Sequence, residues 1–384
     1  MPKLHIAEAV GSGHPDRIAD RISNIVHDVL NPTVHKQPTA IETLVTSGLV
    51  LIAGEVGPGV VVDVEAIKAR VSEFLDSIGY SGASFEILVK LKTQSQDIVT
   101  ASRDEEVGLK SGDQCVAVGY ATNSTPNRMP LAWNVARAII AKVEDLRERD
   151  VIPGLRRDAK CLVSLFDKEL NYLVLSVHHD EQHNAAPEEL RRGLYAKAVT
   201  PVLLDMGVKF NSPWIHINRT PFNIGGLDAD TGATNRKTTV DAYGTAAPHG
   251  GGGLNGKDMD KIDRLLAYYM RWICVNIVGA GLCAELELQA HIRPGAWKPS
   301  FSLGRVTGII DSLQWSQLAK VIRRVFDHKL GEIHEIFGVW NEKLEELGEL
   351  GHFGRPELPW ETLDRVDQIK EAVNGVKYLD SAGA

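Results

Sequence analysis

The sequence has few cysteines, no long apolar run and no excess of positive charge. Its four cysteines are scattered, without a C-x-x-C pair that would indicate a zinc or redox site, so we expect reduced, buried thiols. No apolar stretch approaches the roughly 18 residues that a membrane span needs, and the first residues do not resemble a signal peptide. A net charge of −8 argues against a general nucleic-acid surface. We therefore expect a cytoplasmic protein that binds neither membranes nor nucleic acids.

The chain mixes strand and helix patterns along its whole length. With 384 residues, of which 43% are hydrophobic, two or three domains are expected. Residues 238–243 read as a strand, and a long helical pattern runs over 258–282. Each third of the chain combines strands with amphipathic helices, which predicts three α+β domains. The predicted boundaries are an N-terminal domain at 1–100, a central domain at 110–225 and a C-terminal domain at 226–384.

Four consecutive glycines, residues 250–253, form the most unusual stretch of the sequence. Glycines let backbone N–H groups turn toward one point, as close approach to a phosphate requires. On a helix that starts near residue 258, Lys257, Lys261 and Arg264 would share one face. Asp263 would project from another face. Cations and carboxylates beside a glycine turn predict a site for a metal-bound polyphosphate.

Two other interpretations of this stretch were weighed. Residues 251–257 match G-x-x-x-x-G-K, the spacing of a P-loop, but Asp258 follows where that motif has a Ser or Thr hydroxyl for Mg²⁺. A carboxylate there would repel phosphates. The other interpretation is a flexible glycine linker, which the charged residues directly after the glycines disfavour. We predict a phosphate site of a different kind from the P-loop.

A second glycine-rich turn precedes His14, Pro15 and Asp16 near the N-terminus. An amphipathic helix follows, with Ile18 and Ile22 on its apolar stripe, and Pro15 suits a first helical turn. A His-Pro-Asp sequence is often an ordinary helix N-terminus. Two glycine-rich helix starts in one chain nevertheless favour a functional role for His14 and Asp16.

Nine motifs give the chain a resemblance to the S-adenosylmethionine synthetase family, also called the methionine adenosyltransferases. They occur in that family's order and span nearly the whole chain, and nine in register are highly specific. They are Gly13-His-Pro-Asp-Arg-Ile-Ala-Asp20, Gly112-Asp-Gln114, Gly119-Tyr-Ala-Thr-Asn123, Asp158-Ala-Lys160, Ile224-Gly-Gly226, Arg236-Lys237, His249-Gly-Gly-Gly252, Gly256-Lys-Asp258 and Asp263-Arg264.

The resemblance implies a fold, an assembly and a reaction. The family has three similarly built α+β domains related by pseudo-threefold symmetry, and its active sites are shared between the subunits of a homodimer; a homotetramer is the alternative assembly. The implied enzyme is a methionine adenosyltransferase. The sulfur of L-methionine attacks C5′ of ATP, and the released tripolyphosphate is hydrolysed to pyrophosphate and phosphate at the same site. Because a thioether carries no proton, positioning and charge stabilisation should do most of the work.

The resemblance also implies roles for individual residues. His14 would donate a hydrogen bond to the leaving O5′ oxygen. The cations on the triphosphate, most of them also catalytic, would be Lys160, Arg236, Lys237, Lys257 and Lys261. Other nucleotide contacts would be Phe222 on adenine, Asp113 on ribose, Asp158 and Asp230. Methionine would be bound by Glu55, Gln94, Asp230 and Lys261.

Metals and the assembly follow from the same resemblance. Two Mg²⁺ ions per site would be held by Asp16 and Asp263, and K⁺ by Glu42, since carboxylate oxygens suit both hard ions. Residues 92–108 would form a mobile loop over the site; the sequence there is polar and unpatterned, as in active-site lids. In the dimer, Glu55, Gln94 and Asp113 would meet His14 and Lys257 of the other subunit.

Four stretches depart from the family pattern. The second glycine loop ends Gly253-Leu-Asn-Gly256 where the family typically has Ala-Phe-Ser-Gly. The family's Gly-Ala-Gly-Asp-Gln-Gly occurs here as Lys110-Ser-Gly-Asp-Gln-Cys115, and the usual Lys after His-Pro-Asp is Arg17. The match also weakens around Arg293-Pro-Gly295, whose backbone should line the methionine pocket. These changes bear on rate and substrate tolerance more than on ATP binding.

Two alternative functions share the predicted site. One is a catalytically weak paralogue that binds ATP and acts as a regulatory subunit. The other is a tripolyphosphate hydrolase that performs only the second half-reaction. The presence of His14 favours a chain that catalyses the complete reaction. A protein that only binds ATP would not need a hydrogen-bond donor to the leaving oxygen.

Overall fold

The computed structural model describes residues 4–31, 38–95, 103–104, 108–337 and 344–382. Its strands are β1 (Leu4–Val10), β2 (Thr39–Thr46), β3 (Leu49–Val56), β4 (Glu86–Thr93), β5 (Arg103–Asp104), β6 (Gly108–Leu109), β7 (Cys115–Thr122), β8 (Leu155–Phe166), β9 (Glu169–His179), β10 (Ile215–Ile217), β11 (Gly232–Ala233), β12 (Glu285–Ile292) and β13 (Ser300–Thr307).

Helices occur in every third of the chain. They are α1 (Pro15–Leu30), α2 (Val64–Ser77), α3 (Leu131–Glu148), α4 (Gln182–Ala185), α5 (Pro187–Leu194), α6 (Thr200–Asp205), α7 (Thr238–Asp241), α8 (Ile262–Gly279), α9 (Trp315–Val325), α10 (Leu330–Phe337), α11 (Glu345–Leu350) and α12 (Val366–Ala382). No helix in the described ranges is long and apolar enough to cross a membrane.

Three main sheets exchange strands between the thirds of the sequence. The first sheet has the order β1-β8-β9-β10, the second β11-β2-β3-β4 and the third β13-β12-β7. Strand β1 therefore lies antiparallel to β8 in the middle of the chain, and β7 lies antiparallel to β12 near the C-terminal end. Strand β11 adds to the edge of the second sheet beside β2.

The second sheet has one buried and one exposed face, as period-two alternation requires. On β2, Ile41, Thr43 and Val45 are buried, whereas Glu42 and Leu44 point outward. Helices α1 and α2 cover the buried face and form a separate hydrophobic core with it. The exposed face matters for the functional site, because it runs between two clusters of polar residues described below.

Helix α8 lies at the centre of the larger core. Nearly every residue of α8 is buried, and the helix packs against β7 and β12 of the third sheet. A helix that is apolar on all sides is stable only when it is surrounded by protein. The same core continues to the first sheet and α3.

One predicted helix is confirmed but starts later than expected, and one predicted strand is wrong. The helix predicted over 258–282 begins only at Ile262, because Asp258 accepts the backbone N–H of Thr39 at 2.7 Å and Lys257 pairs with Ala40 as an isolated bridge. Pairing with β2 thus replaces the first helical turn, and Lys257 and Lys261 do not share a helix face. The β-branched stretch 238–243 reads as a strand but contains the short helix α7.

Candidate active site

His14 is the N-cap residue of α1, and its ring faces a half-buried turn. The backbone N–H of Gly13 donates to the carbonyl oxygen of Arg157 at 3.2 Å, which anchors the turn on β8. The N–H of Asp16 donates to His14 Nδ1 at 3.2 Å. Because Nδ1 accepts this bond, a neutral His14 carries its proton on Nε2. The helix cap and a donor at Nε2 are therefore compatible in one side chain.

His14 is held neutral. Burial, assisted by the positive charge of Lys237, lowers the pKa of His14 from 6.5 to about 4. Its side chain is 12% exposed. At neutral pH the ring can donate through Nε2–H without carrying a charge.

Asp16 sits between two cations and is fully buried. Lys237 Nζ lies 2.5 Å from Asp16 Oδ2, and Arg236 Nε lies 3.2 Å from Oδ1. The N–H of Ala233 donates to Oδ1 at 3.0 Å. Burial alone would raise the pKa of Asp16, but the hydrogen bonds from Lys237 and Ala233 and the positive charge of Lys237 together outweigh it, and the pKa is lowered. The Asp16 carboxylate therefore holds the side chains of Lys237 and Arg236 in place.

Lys160 completes this group on the neighbouring strand β8. It is half-exposed, pairs with Glu8 at 3.1 Å and is close enough to His14 to depress that residue's pKa. We call His14, Asp16, Lys160, Arg236 and Lys237 the histidine cluster. Every predicted phosphate cation that precedes residue 250 belongs to it.

The predicted adenine-side residues lie beside the histidine cluster. Asp158, two residues before Lys160, accepts the N–H of Gly226 at 2.8 Å. Burial, with a contribution from the Asp230 carboxylate, raises the pKa of Asp158 to about 6. The ring of Phe222 is partly buried, 5.6 Å from the ring of His178. The structure thus brings the carboxylates of Asp158 and Asp230 near each other, beside the turn that begins at Phe222.

Apart from Glu42, the remaining predicted residues line a separate cleft of about 390 Å³. Lys257 Nζ contacts Asp263 Oδ2 at 2.5 Å, and Lys261 is the N-cap residue of α8 beside it. The opposite wall carries carboxylates and an amide. We call the cleft the lysine cleft; its predicted site residues are Glu55, Gln94, Asp113, Lys257, Lys261 and Asp263.

The lysine cleft corrects the predicted division between subunits. Lys257 was expected to meet Asp113 only across a dimer, yet both residues line one cleft of one chain. Strand β2 shows the separation, because Ala40 bridges to Lys257 while Leu44 pairs with Ala233 beside Asp16. At about 3.4 Å per residue, these two points are roughly 14 Å apart along the strand. The histidine cluster and the lysine cleft therefore lie apart on each chain, and we call these two groups of predicted site residues the half-sites.

Glu42 lies between the half-sites on the exposed face of β2. Its carboxylate is close to Lys257 and is hydrogen-bonded to Asn235. Partial desolvation by neighbouring groups nevertheless raises the pKa of Glu42, although the residue as a whole is exposed. Glu42 is thus a partly desolvated carboxylate with the positive charge of Lys257 close to it.

The glycine run packs closely against its surroundings, and one of its N–H groups is taken up within the chain. Gly251 donates to His249 Nδ1 at 2.9 Å, and Gly256 donates to Asn24 Oδ1 at 2.7 Å. A Cβ on Gly252 would lie 2.7 Å from Asp263 Cγ. The glycines are needed so that the loop can approach Asp263 closely. The N–H of Gly251 is therefore occupied by a side chain of the chain itself, and the phosphate cradle stays a prediction for Gly250, Gly252 and Gly253.

Sequence reasoning missed the residues that hold this loop. Asn235 Oδ1 accepts the N–H groups of Leu254 and Asn255, each at 2.9 Å, and the N–H of Asn235 donates to Asp20. An isolated asparagine between Thr234 and Arg236 gave no periodic signal. The neighbouring Arg-Lys pair was the only hint that this stretch is part of the site.

Arg17 and Arg264 have structural positions. Arg17 is buried and donates to both oxygens of Asp241, at 2.6 and 2.8 Å. Arg264 is buried against Tyr268 and donates to the carbonyl oxygen of Lys257. Neither guanidinium faces the lysine cleft, so neither is available to a phosphate.

The carboxylates of the site can hold the predicted Mg²⁺ ions only if phosphate oxygens of a substrate supply further ligands. The described residues contain no group of three or more His, Cys, Asp and Glu side chains that could hold a metal. Mg²⁺ is commonly held by one or two carboxylates, with phosphate oxygens and water as the other ligands. Asp263, 28% exposed in the lysine cleft, and Asp16 in the histidine cluster each offer one such carboxylate.

Comparison with known proteins agrees with this architecture. Family models of S-adenosylmethionine synthetase match the chain as an N-terminal domain at residues 3–102, a central domain at 108–221 and a C-terminal domain at 224–362. The fold and these matches define a three-domain α+β synthetase, which confirms the predicted fold class. The roles of individual residues stay predictions, because the family matches do not test them.

Full-length relatives give the same result. The chain is 34% identical to the S-adenosylmethionine synthase of Thermus thermophilus, with 96% of this chain and 98% of the relative covered. It is 33% identical to that of Corynebacterium urealyticum, covering 97% and 99%, and 32% identical to that of Mycoplasmopsis pulmonis, covering 96% and 98%. The chain belongs to the S-adenosylmethionine synthetase family, whose members are methionine adenosyltransferases.

Proposed function

We propose that the chain forms S-adenosylmethionine from ATP and L-methionine through a tripolyphosphate intermediate, which the same site hydrolyses to pyrophosphate and phosphate. One observation carries the proposal: each half-site holds a carboxylate in direct contact with a lysine. In the histidine cluster Asp16 holds Lys237, and in the lysine cleft Asp263 holds Lys257. A triphosphate entering between the half-sites would receive cations from both.

His14 is the proposed donor to the leaving oxygen. Its Nε2–H is fixed by the bond that Nδ1 accepts from Asp16, and its low pKa keeps the imidazole neutral. A neutral donor stabilises charge that develops on O5′ as the C5′–O5′ bond breaks, without first binding the triphosphate as a cation would. Lys160, Arg236 and Lys237 would orient the phosphates on the same side.

Metal ions would complete the neutralisation of the triphosphate. We propose that Asp16 and Asp263 hold two Mg²⁺ ions and that Glu42 holds K⁺. Mg²⁺, when bound, would neutralise charge on the phosphate oxygens. Glu42 is proposed for the monovalent cation because it offers a single carboxylate near Lys257, between the two half-sites.

The methionine side of the site is proposed to be the lysine cleft. Glu55 and Gln94 lie on or next to the ends of adjacent strands β3 and β4, and Lys261 and Asp113 face them. Glu55 pairs with Lys92 at 3.2 Å. An ammonium group could take the place of Lys92 on this carboxylate. The predicted loop 92–108 lies largely outside the described residues.

We also propose that two chains share each active site in a homodimer. The half-sites lie at opposite ends of β2, and the exposed face between them carries Leu44 and Leu88, which are 40% and 39% exposed. Two such faces packed antiparallel would bury these leucines and bring the histidine cluster of one chain to the lysine cleft of its partner.

The direct test is to incubate the purified chain with ATP and L-methionine and to quantify S-adenosylmethionine, pyrophosphate and phosphate. We expect all three products with Mg²⁺, faster formation with K⁺, and none in EDTA. Lys257→Met should abolish most activity, whereas Lys142→Met, which removes a surface lysine paired with Asp145 on α3, should not. Phosphate release without any need for methionine would instead identify a tripolyphosphate hydrolase, and ATP binding without products would identify a regulatory paralogue.

A further inference from the structure

The turn between β1 and α1 leads into His14, and two of its backbone groups bond to strand β8. The N–H of Gly11 donates to the carbonyl oxygen of Ala159 at 2.8 Å. The N–H of Gly13 donates to that of Arg157 at 3.2 Å, and a Cβ on Gly13 would lie 2.5 Å from Arg157 Cβ. The turn therefore lies directly on the strand, and the residue between these two glycines is held by a different element.

Glu144, on helix α3, holds the middle of this turn. Its Oε1 accepts the N–H of Ser12 at 3.0 Å and the hydroxyl of the same residue at 2.8 Å. Ser12 is buried, so neither of its donors has ready access to water. Because both donors of Ser12 converge on one oxygen, Glu144 fixes the backbone and the side chain of this residue together.

The Glu144 carboxylate is itself held in place. Arg147, one helical turn further along α3, donates from Nε to Glu144 Oε2 at 3.0 Å. The side chains of Glu144 and Arg147 are 20% and 15% exposed. Hydrogen bonds to an ionised acceptor are stronger than those between neutral groups. With one oxygen bound to Arg147 and the other to Ser12, helix α3 presents an oriented carboxylate to the turn.

The effect of this contact reaches the site through the backbone. His14 follows Ser12 by two residues, and its N–H donates to the carbonyl oxygen of Gly11 at 3.1 Å. The position of the turn therefore sets where the His14 side chain starts, and the bond from Asp16 to Nδ1 sets its orientation. A displacement of about 1 Å at a reacting group is enough to reduce a rate strongly.

We propose that Glu144 is a positioning residue: it fixes the turn from which His14 directs its Nε2–H toward the leaving oxygen. Glu144 acts through His14 and not by contact with substrate. This role of Glu144 rests on the role proposed for His14. Neither Ser12 nor Glu144 belongs to the motifs that carry the family resemblance.

Steady-state kinetics of Glu144→Ala and Glu144→Gln test the proposal. Loss of the acceptor in Glu144→Ala should lower kcat for synthesis about tenfold or more, because a misplaced donor stabilises the transition state poorly. The KM for ATP and the hydrolysis of added tripolyphosphate should stay within a few-fold of wild type. Glu144→Gln keeps an oxygen that can accept both bonds and should restore most of the rate. The control is Asp145→Ala, which removes the neighbouring carboxylate paired with Lys142 and should leave synthesis unchanged.

Each of three results would overturn the proposal. The first is a wild-type kcat in Glu144→Ala. The second is an equal loss of synthesis and hydrolysis together with a lower melting temperature, which would identify a contact needed only for folding. The third comes from the double variant: because Glu144 acts through His14, Glu144→Ala should cause no further loss of synthesis in the His14→Ala background, and a full additional loss there would show an independent effect.

Nuclear magnetic resonance separates this role of Glu144 from the proposed function of His14. In protein labelled with ¹⁵N at histidine and kept at one neutral pH, the His14 signals are those that His14→Ala lacks. Wild type should show the tautomer with the proton on Nε2. Glu144→Ala should shift these signals toward those of a mixture of tautomers, whereas Glu144→Gln should not. If His14→Ala keeps full synthesis, the leaving-group role fails; shifted signals in Glu144→Ala would still support Glu144 as the residue that orients His14, and unchanged signals would refute it.

Discussion

His14 offers the sharpest test, because its two ring nitrogens have different predicted tasks. Nδ1 caps α1, and Nε2 should donate to the leaving oxygen. Replacing His14 by Ala removes both functions, whereas Ser restores a cap, since Ser is a favoured N-cap residue. Comparison of the two variants isolates the catalytic part.

The expected magnitudes differ by task. Loss of the cap should cost about 1 kcal/mol of stability, which lowers the melting temperature by a few degrees. Loss of a donor to a developing oxyanion costs roughly 3–4 kcal/mol at comparable sites, or about 10²-fold or more in rate. His14→Ala should therefore show both defects, and His14→Ser should recover the melting temperature but not the rate.

ATP affinity and tripolyphosphate hydrolysis complete the assay. ATP affinity should stay within a few-fold, because a neutral donor adds little to ground-state binding. Hydrolysis of added tripolyphosphate breaks no C–O bond and should suffer less than synthesis. Equal loss of synthesis and hydrolysis, or full activity in His14→Ser, would refute the leaving-group role.

The pH dependence of the same residue is also fixed by its environment. Because burial lowers the pKa of His14 from 6.5 to about 4, the unfolded state binds the proton more readily, and His14 reduces stability as pH falls from 6.5 toward 4. Between pH 6 and 8 the ring is neutral. The rate of synthesis plotted against pH should therefore show no inflection near 6.5 that is due to His14, and the profile of His14→Ser should have the same shape as that of the wild type.

Further predictions concern assembly, phosphate binding and stability. After proven subunit exchange, inactive His14→Ala and Lys257→Ala chains should regain activity together, whereas Lys257→Ala and Asp113→Ala, which damage the same half-site, should not; recovery in the second mixture would contradict the division. Lys261→Ala should weaken ATP binding as well as turnover, and unchanged ATP affinity in a titration would remove it from the triphosphate site. Burial raises the pKa of Asp20 from 3.8 to about 8, so this residue lowers stability as pH rises from 4 to 8. Asp20→Asn should therefore raise the melting temperature at pH 8 more than at pH 5, and an unchanged pH profile would speak against a protonated Asp20.

Much of the fold was predictable because its elements are strongly periodic. The alternation on β2 and the stripe of α1 are local patterns, and they predict these elements without knowledge of their neighbours. Helix α12 was missed, and the start of α8 was wrong. At α8 the deciding contact is the bridge between Lys257 and Ala40, which joins residues far apart in sequence.

The identities of the site residues were predictable, but their grouping was not. The His14–Asp16 pair, Lys160 and Lys237 came from three separate motifs that no periodicity relates. Their proximity depends on β11 pairing with β2, a contact of two residues. For the same reason, the sequence could not reveal that Arg17 is buried against Asp241 while Arg236 faces the cluster.

The exchange of strands among the sheets constrains how the chain can fold during synthesis. Strand β1 leaves the ribosome first but has no sheet partner until β8 has been made, and β7 waits for β12. Such pairings between distant segments slow folding and leave strand edges unpaired in the meantime. Only the second sheet, which lacks just β11, can largely form from nearby residues. Cutting the chain between its thirds would therefore sever hydrogen-bonded strand pairs, and the pieces would need one another to complete their sheets.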